Sequence, residues 1–203
     1  MKKYELTEET LTVSEKTLYR IRAVRDFGFV KTGEFGGYIE KEENLSHFGN
    51  AWISGDAKVY GDARVFGDAR VFGNAWVSGN VWVSGDARVF GDARVFGNAW
   101  VSGNAWVSGD AKVSGDAKVF GDAKVFNTRH FFVQGPIGSR DGYVTFYRTK
   151  DDTVEVRCGC FSGSLQEFVN QVEETHGGSR YEKEYKLAAE LAKVCIRLEG
   201  ESR

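Results

Sequence analysis

Glycine recurs at every sixth position between Gly49 and Phe126, through thirteen uninterrupted units that run GNAWIS, GDAKVY, GDARVF and on to GDAKVF. A short fixed period decides architecture before local propensity can, because every unit must take the same path in space. Within a unit the triplet Ala-X-Val puts a small and a β-branched residue on one side and Arg, Lys or Trp on the other, the alternation of a strand with one buried face. The Gly-Asp or Gly-Asn pair tolerates tight turns and positive φ. A short strand and a corner every six residues make a coil, so residues 49–126 read as a β-helix and the chain as mainly β.

An aliphatic residue such as Val59 or Val65, four positions ahead of a small one such as Ala63 or Ala69, resembles the hexapeptide pattern of the left-handed parallel β-helix family. The resemblance covers all thirteen units. It implies a left-handed coil with three units per triangular turn, and association as a homotrimer. On that geometry residues eighteen apart stack about 4.8 Å from one another. One outward ladder is then Trp52, Arg70, Arg88, Trp106, Lys124; the second is Lys58, Trp76, Arg94, Lys112; the third is Arg64, Trp82, Trp100, Lys118. Each Trp has a cation on an adjacent rung, an arrangement worth roughly 0.5 to 1 kcal/mol when exposed. Five outward Trp residues with Phe66, Phe72, Phe90 and Phe96 are more apolar surface than a lone soluble chain carries, which points to a subunit interface.

Residues 61–84 and 85–108 are the same block of 24 residues except for Val81 against Ala105. Since 24 is not a multiple of 18, the second copy is turned by one face, and a composed catalytic surface would not survive that rotation. The acyl transfer common in the resembled family uses a His beside a loop thrown out of the coil. The repeats here hold no His, and Ser54, Ser78, Ser84, Ser102, Ser108 and Ser114 alternate with aromatic residues as corner fillers. His47, His130 and His176 lie in three separate segments without the ligand spacing of the zinc-dependent γ-type carbonic anhydrases. Cys158-Gly-Cys160 lacks the C-x-x-C spacing and a second pair. The chain therefore reads as noncatalytic, with no metal and no cofactor.

A net charge of −2 with 28% charged residues argues against the broad basic face that nucleic-acid binding requires. No stretch reaches the roughly 20 apolar residues of a membrane span, and three cysteines without a secretory signal fit a reducing compartment. The expected location is the cytoplasm.

The flanks differ from the coil. Residues 1–48 read as an N-terminal cap, with Leu18 to Val30 alternating as a strand would. The run RIRAVRDFGFVKTGEFGGYIEKEENLSHFGNAWISG resembles the opening of hexapeptide-repeat proteins of phages and prophages, which implies an infected or lysogenic bacterial host. Residues 127–203 read as a small α+β module. In it, 143–148 and 153–158 form a hairpin, a third strand lies around His130 to Gln134, and two helices open on the capping boxes Ser164/Glu167 and Ser179/Glu182.

Two segments of this module suit an anion. One is the glycine-rich loop from Gly135 to Gly142, with Gly138, Ser139 and Arg140; the other is Gly159, Cys160, Phe161, Ser162, Gly163 and Ser164, read as a loop running into a helix N-terminus with unsatisfied N–H groups. Tyr143, Phe146, Tyr147 and Phe161 offer flat faces for a base, and Arg140, Arg148 and Arg157 offer bidentate phosphate contacts. His176 ends the first helix, where a cation meets the dipole favourably. The sequence thus points to a trimeric binding protein for a small nucleotide-like anion. A structural spacer and a diverged acyltransferase are the alternatives.

Overall fold

The computed structural model describes residues 2–198. Three strands, β1 (Tyr4–Val13), β2 (Lys16–Ala23) and β3 (Phe35–Ile39), and a turn of 3-10 helix at Glu42–Asn44 precede the repeats. From Trp52–Ile53 to Lys124–Val125 the chain then forms thirteen two-residue strands, β4 to β16, one every six residues. Each pairs in parallel with the strand eighteen residues away, as Arg70 does with Arg88 and Arg94 with Lys112. The result is a parallel β-solenoid with three faces, the longest stack within the repeats having five rungs. Its interior is a column of Ala and Val with no exposure, such as Ala63, Val65, Ala87 and Val89.

Glycine is required at the corners for two reasons. Gly79 and Gly97 sit at φ near +81° and +82°, and a Cβ on Gly79 would lie 2.8 Å from the Gly97 carbonyl oxygen on the next rung. Beside the glycines, Asn amides reach Asp carboxylates one rung on: Asn50 to Asp68, Asn74 to Asp92, Asn98 to Asp116 and Asn104 to Asp122, at 2.7 to 3.1 Å.

The three outward ladders run as the period predicts. Trp76 lies between Lys58 and Arg94, and Trp106 between Arg88 and Lys124, each cation 5.0 to 5.5 Å from a ring centre. The rest differ from expectation. Trp52 is buried beneath Tyr4 and Phe27. On the third face Trp82 and Trp100 meet edge to face at 5.6 Å, with Phe66 and Phe120 extending the aromatic row. Two adjacent Trp leave each other no cation between them, and they remain 40% and 38% exposed.

The N-terminal segment closes the first turn. Strands β1 and β2 form an antiparallel hairpin, β2 pairs with β3, and β3 joins the coil in parallel at Lys58–Val59. The strand expected to reach Val30 stops at Ala23, because the Asp26 carboxylate accepts from the Thr32 N–H and hydroxyl and folds 26–32 into a loop. Tyr38 and Leu45 pair twenty residues ahead, with Lys58 and Val65, instead of eighteen, so the first rung is irregular.

After the coil, β17 (Phe131–Ile137), β18 (Gly142–Arg148), β19 (Val154–Cys158) and β20 (Phe161–Ser164) form an antiparallel sheet in that order. The helices α1 (Leu165–His176) and α2 (Arg180–Cys195) cover one face, burying Val144, Phe146, Val156, Phe168, Tyr185 and Ala189. The other face rests on the end of the coil, where Tyr147 joins the coil's core. The module is therefore also the C-terminal cap.

Most inter-rung bonds have one polarity. Three amides of a unit donate toward the C-terminal end, for example Asp68, Arg70 and Phe72 to the carbonyls of Gly85, Ala87 and Val89. The N-terminal end is left with carbonyls and is met by donors: the Lys3 ammonium on Ala51 at 2.7 Å, and the Asn44 amide on Gly61 and Ala63. The C-terminal end is left with N–H groups and is met by acceptors. The Thr145 hydroxyl takes the Lys118 N–H at 3.0 Å, and the His130 imidazole takes that of Phe126 at 3.1 Å.

Candidate functional site

A cleft of about 660 Å³ opens where the C-terminal module meets the last rungs of the coil. One wall starts at Gly138, with φ at +76° and its N–H on the Glu184 carboxylate at 2.7 Å. A Cβ there would lie 1.8 Å from the Tyr185 hydroxyl, so only glycine lets the turn settle against α2. This turn carries Ser139 and Arg140 to the rim, and Tyr143 follows on β18. A second turn, with Gly159 at φ +59°, brings Cys158, Cys160 and Phe161 to the opposite side. The C-terminal half of α1 adds Gln171, Thr175 and His176, whose ring lies 5.6 Å from that of Tyr185. The coil contributes Asp116 and Lys118, the latter fixed through its backbone by Thr145.

The charged side chains that line the cleft are Asp116, Lys118 and Arg140. Among the described residues neither Arg140 nor Lys118 makes an ion pair. The groups that could add negative charge are held neutral: burial, followed by the neighbouring Cys158, pushes Tyr185 up to about 12, and burial also raises the Cys158 thiol. At neutral pH both are protonated, and the Tyr185 hydroxyl faces the Cys158 sulfur as a donor. The Asp116 carboxylate is the exception, with one oxygen already taken by the Asn98 amide at 3.0 Å.

Of the residues expected at the site, the cleft collects Ser139, Arg140, Gly142, Tyr143, Gly159, Cys160 and Phe161. The others are elsewhere. Gly138 is buried behind the turn. Tyr147 is fully buried on the coil side of the sheet, its hydroxyl on Glu155 at 3.2 Å. Arg148 is buried with it, bound to Asp152 at 2.6 Å. Ser162, Gly163 and Ser164 belong to β20 and are not a loop. The N-terminus of α1 is filled by its own chain: the Glu167 carboxylate accepts from the Ser164 N–H and hydroxyl, both at 2.8 Å. An anion cradle at that helix start is thus not formed, and the helix end that reaches the cleft is the C-terminal one.

Sequence reasoning missed Asp116, Lys118, Cys158 and Tyr185 as cleft residues. Lys118 was legible only as the top of an outward ladder, since nothing local says that a later sheet will dock beside it. No curated protein matches the chain. Residues 63–79, 69–85, 87–103 and 93–109 match the family described as YdcK Beta solenoid repeat, in agreement with the parallel β-solenoid that these residues form.

Proposed function

We propose that the protein captures a small anionic, nucleotide-like ligand in this cleft without turning it over. The observation that carries the reading is the meeting of Arg140 and Lys118, which have no carboxylate partner among the described residues, with Tyr143 and Phe161 in one cleft. A guanidinium and an ammonium suit phosphate oxygens, and aromatic rings suit a base. A volume of about 660 Å³ lies within the range of small-molecule sites. The reading includes a homotrimer whose subunits meet on the face of Trp82 and Trp100. In the phage setting implied by the resemblance of the N-terminal segment, capture alone would withdraw a nucleotide-derived immune signal from the host.

Thermal unfolding of the purified protein, measured against inorganic phosphate, mononucleotides, cyclic dinucleotides and ADP-ribose, tests this. A bound ligand at a hundred times its Kd stabilises by about 2.7 kcal/mol. Arg140→Ala is expected to remove the shift and leave the ligand-free stability within about 0.5 kcal/mol, because Arg140 is exposed. No shift with any member of the panel would sink the reading and leave a structural spacer.

A further inference from the structure

Helix α2 buries Tyr185, Ala188, Ala189 and Ala192 against the sheet and α1. Its opposite side is not the polar surface that such a helix normally shows. Leu187, Leu191 and Val194 are exposed by 71%, 46% and 82%. They fall four and three residues apart, so they form one straight seam along two turns, about 10 Å at 1.5 Å per residue. Single exposed aliphatics need no explanation, but three in register on a rigid helix do.

We propose that this seam pairs with the same seam of a second copy of the chain, the two α2 helices running antiparallel about a twofold axis at Leu191. The sequence around the seam is what selects a copy of itself. Leu187 and Val194 stand on either side of Leu191, so reversal places Leu187 of one copy on Val194 of the other, twice. Glu190 and Lys193 flank the seam on one side and bind each other within the chain at 2.7 Å. Reversal sets Glu190 of each copy beside Lys193 of the other, and the two intrachain pairs become a four-membered alternation of charge. A twofold contact of this kind is isologous, as dimers of identical chains commonly are. Its short length makes it weak and dependent on concentration.

Sedimentation equilibrium across a hundredfold range of concentration tests the pairing. The average mass of the wild-type chain is expected to rise with concentration toward twice that of the unit that Leu187→Glu/Val194→Glu forms at the same concentration, whether that unit is a single chain or the trimer of the proposed function. In Leu187→Glu/Val194→Glu the doubling is expected to be absent, with an unchanged circular dichroism spectrum showing that the exposed substitutions leave the fold intact. Charge exchange provides the specific arm. Glu190→Lys alone and Lys193→Glu alone should weaken the doubling at least tenfold in dissociation constant, and Glu190→Lys/Lys193→Glu together should restore it. A mass in the wild type that does not rise, or a rise that survives the double glutamate substitution, would overturn the proposal. Failure of the exchanged pair to restore doubling would overturn the antiparallel arrangement. None of these variants touches the cleft, so the nucleotide reading stands or falls separately.

Discussion

Lys3 shows how far a single residue departs from the habit of its type. A lysine with no exposure is rare, and this one is held under the first rung with its ammonium on the Ala51 carbonyl and 4.9 Å from the Phe27 ring. Burial, followed by the nearby Arg25, lowers its pKa to about 8. The unfolded chain holds the proton more tightly than the native one, so the contribution of Lys3 to stability grows as pH rises from about 8 toward the ordinary 10.5 and is lost as pH falls through 8. In urea unfolding, the stability of the wild type relative to Lys3→Met is therefore expected to increase between about pH 7 and about pH 10. A difference that stays level would mean that burial does not disfavour the charge. Nothing in MKKYEL announces this placement; it follows from the carbonyls that the coil leaves at its end.

At the scale of elements, the units of the coil were legible because a six-residue period dictates each strand's neighbours eighteen residues away. The C-terminal sheet was legible only in part. Its hairpin and both helix caps follow from turn and capping residues, but β18 is buried from Val144 to Arg148 without the alternation that would show which side meets the helices. Half of it faces the coil instead, and the local sequence could not show a surface supplied by residues 116–126. The fourth strand was read as a Gly/Ser loop for the same reason: β20 is specified by its pairing with β19. Thr145 marks that junction. Thr145→Val keeps the shape but leaves the Lys118 N–H without an acceptor, and a loss of about 1 to 3 kcal/mol is expected in chemical unfolding. A loss near zero would show that water replaces the hydroxyl and that the module rests on the coil more loosely.

For the whole molecule, the candidate site sits at one end of a rod whose middle it does not use. Asp116 and Lys118 are the coil's only residues in the cleft among those described, and both lie within its last three units. Excision of residues 67–84 removes one full turn and returns each ladder to its register, whereas excision of 67–72 turns the C-terminal module by one face relative to the N-terminal cap. Both shortened chains are expected to fold and to keep the ligand-dependent thermal shift of the full chain. The six-residue excision should melt lower than its length alone predicts, because Trp76 then loses the Lys58 ammonium and falls on the rung next to Trp52 instead. A folded chain that loses ligand response on excision would show that the site reads the middle of the rod.

The polarity of the inter-rung bonds gives the molecule two ends of opposite chemistry, and these ends are complementary to each other. A coil with bare carbonyls at its start and bare amides at its finish is a head-to-tail monomer: the finish of one rod is shaped to continue into the start of the next, without limit. Lys3 and Asn44 at one end, and Thr145 and His130 at the other, terminate that polymerisation, each supplying from a side chain what another rod would have supplied from its backbone.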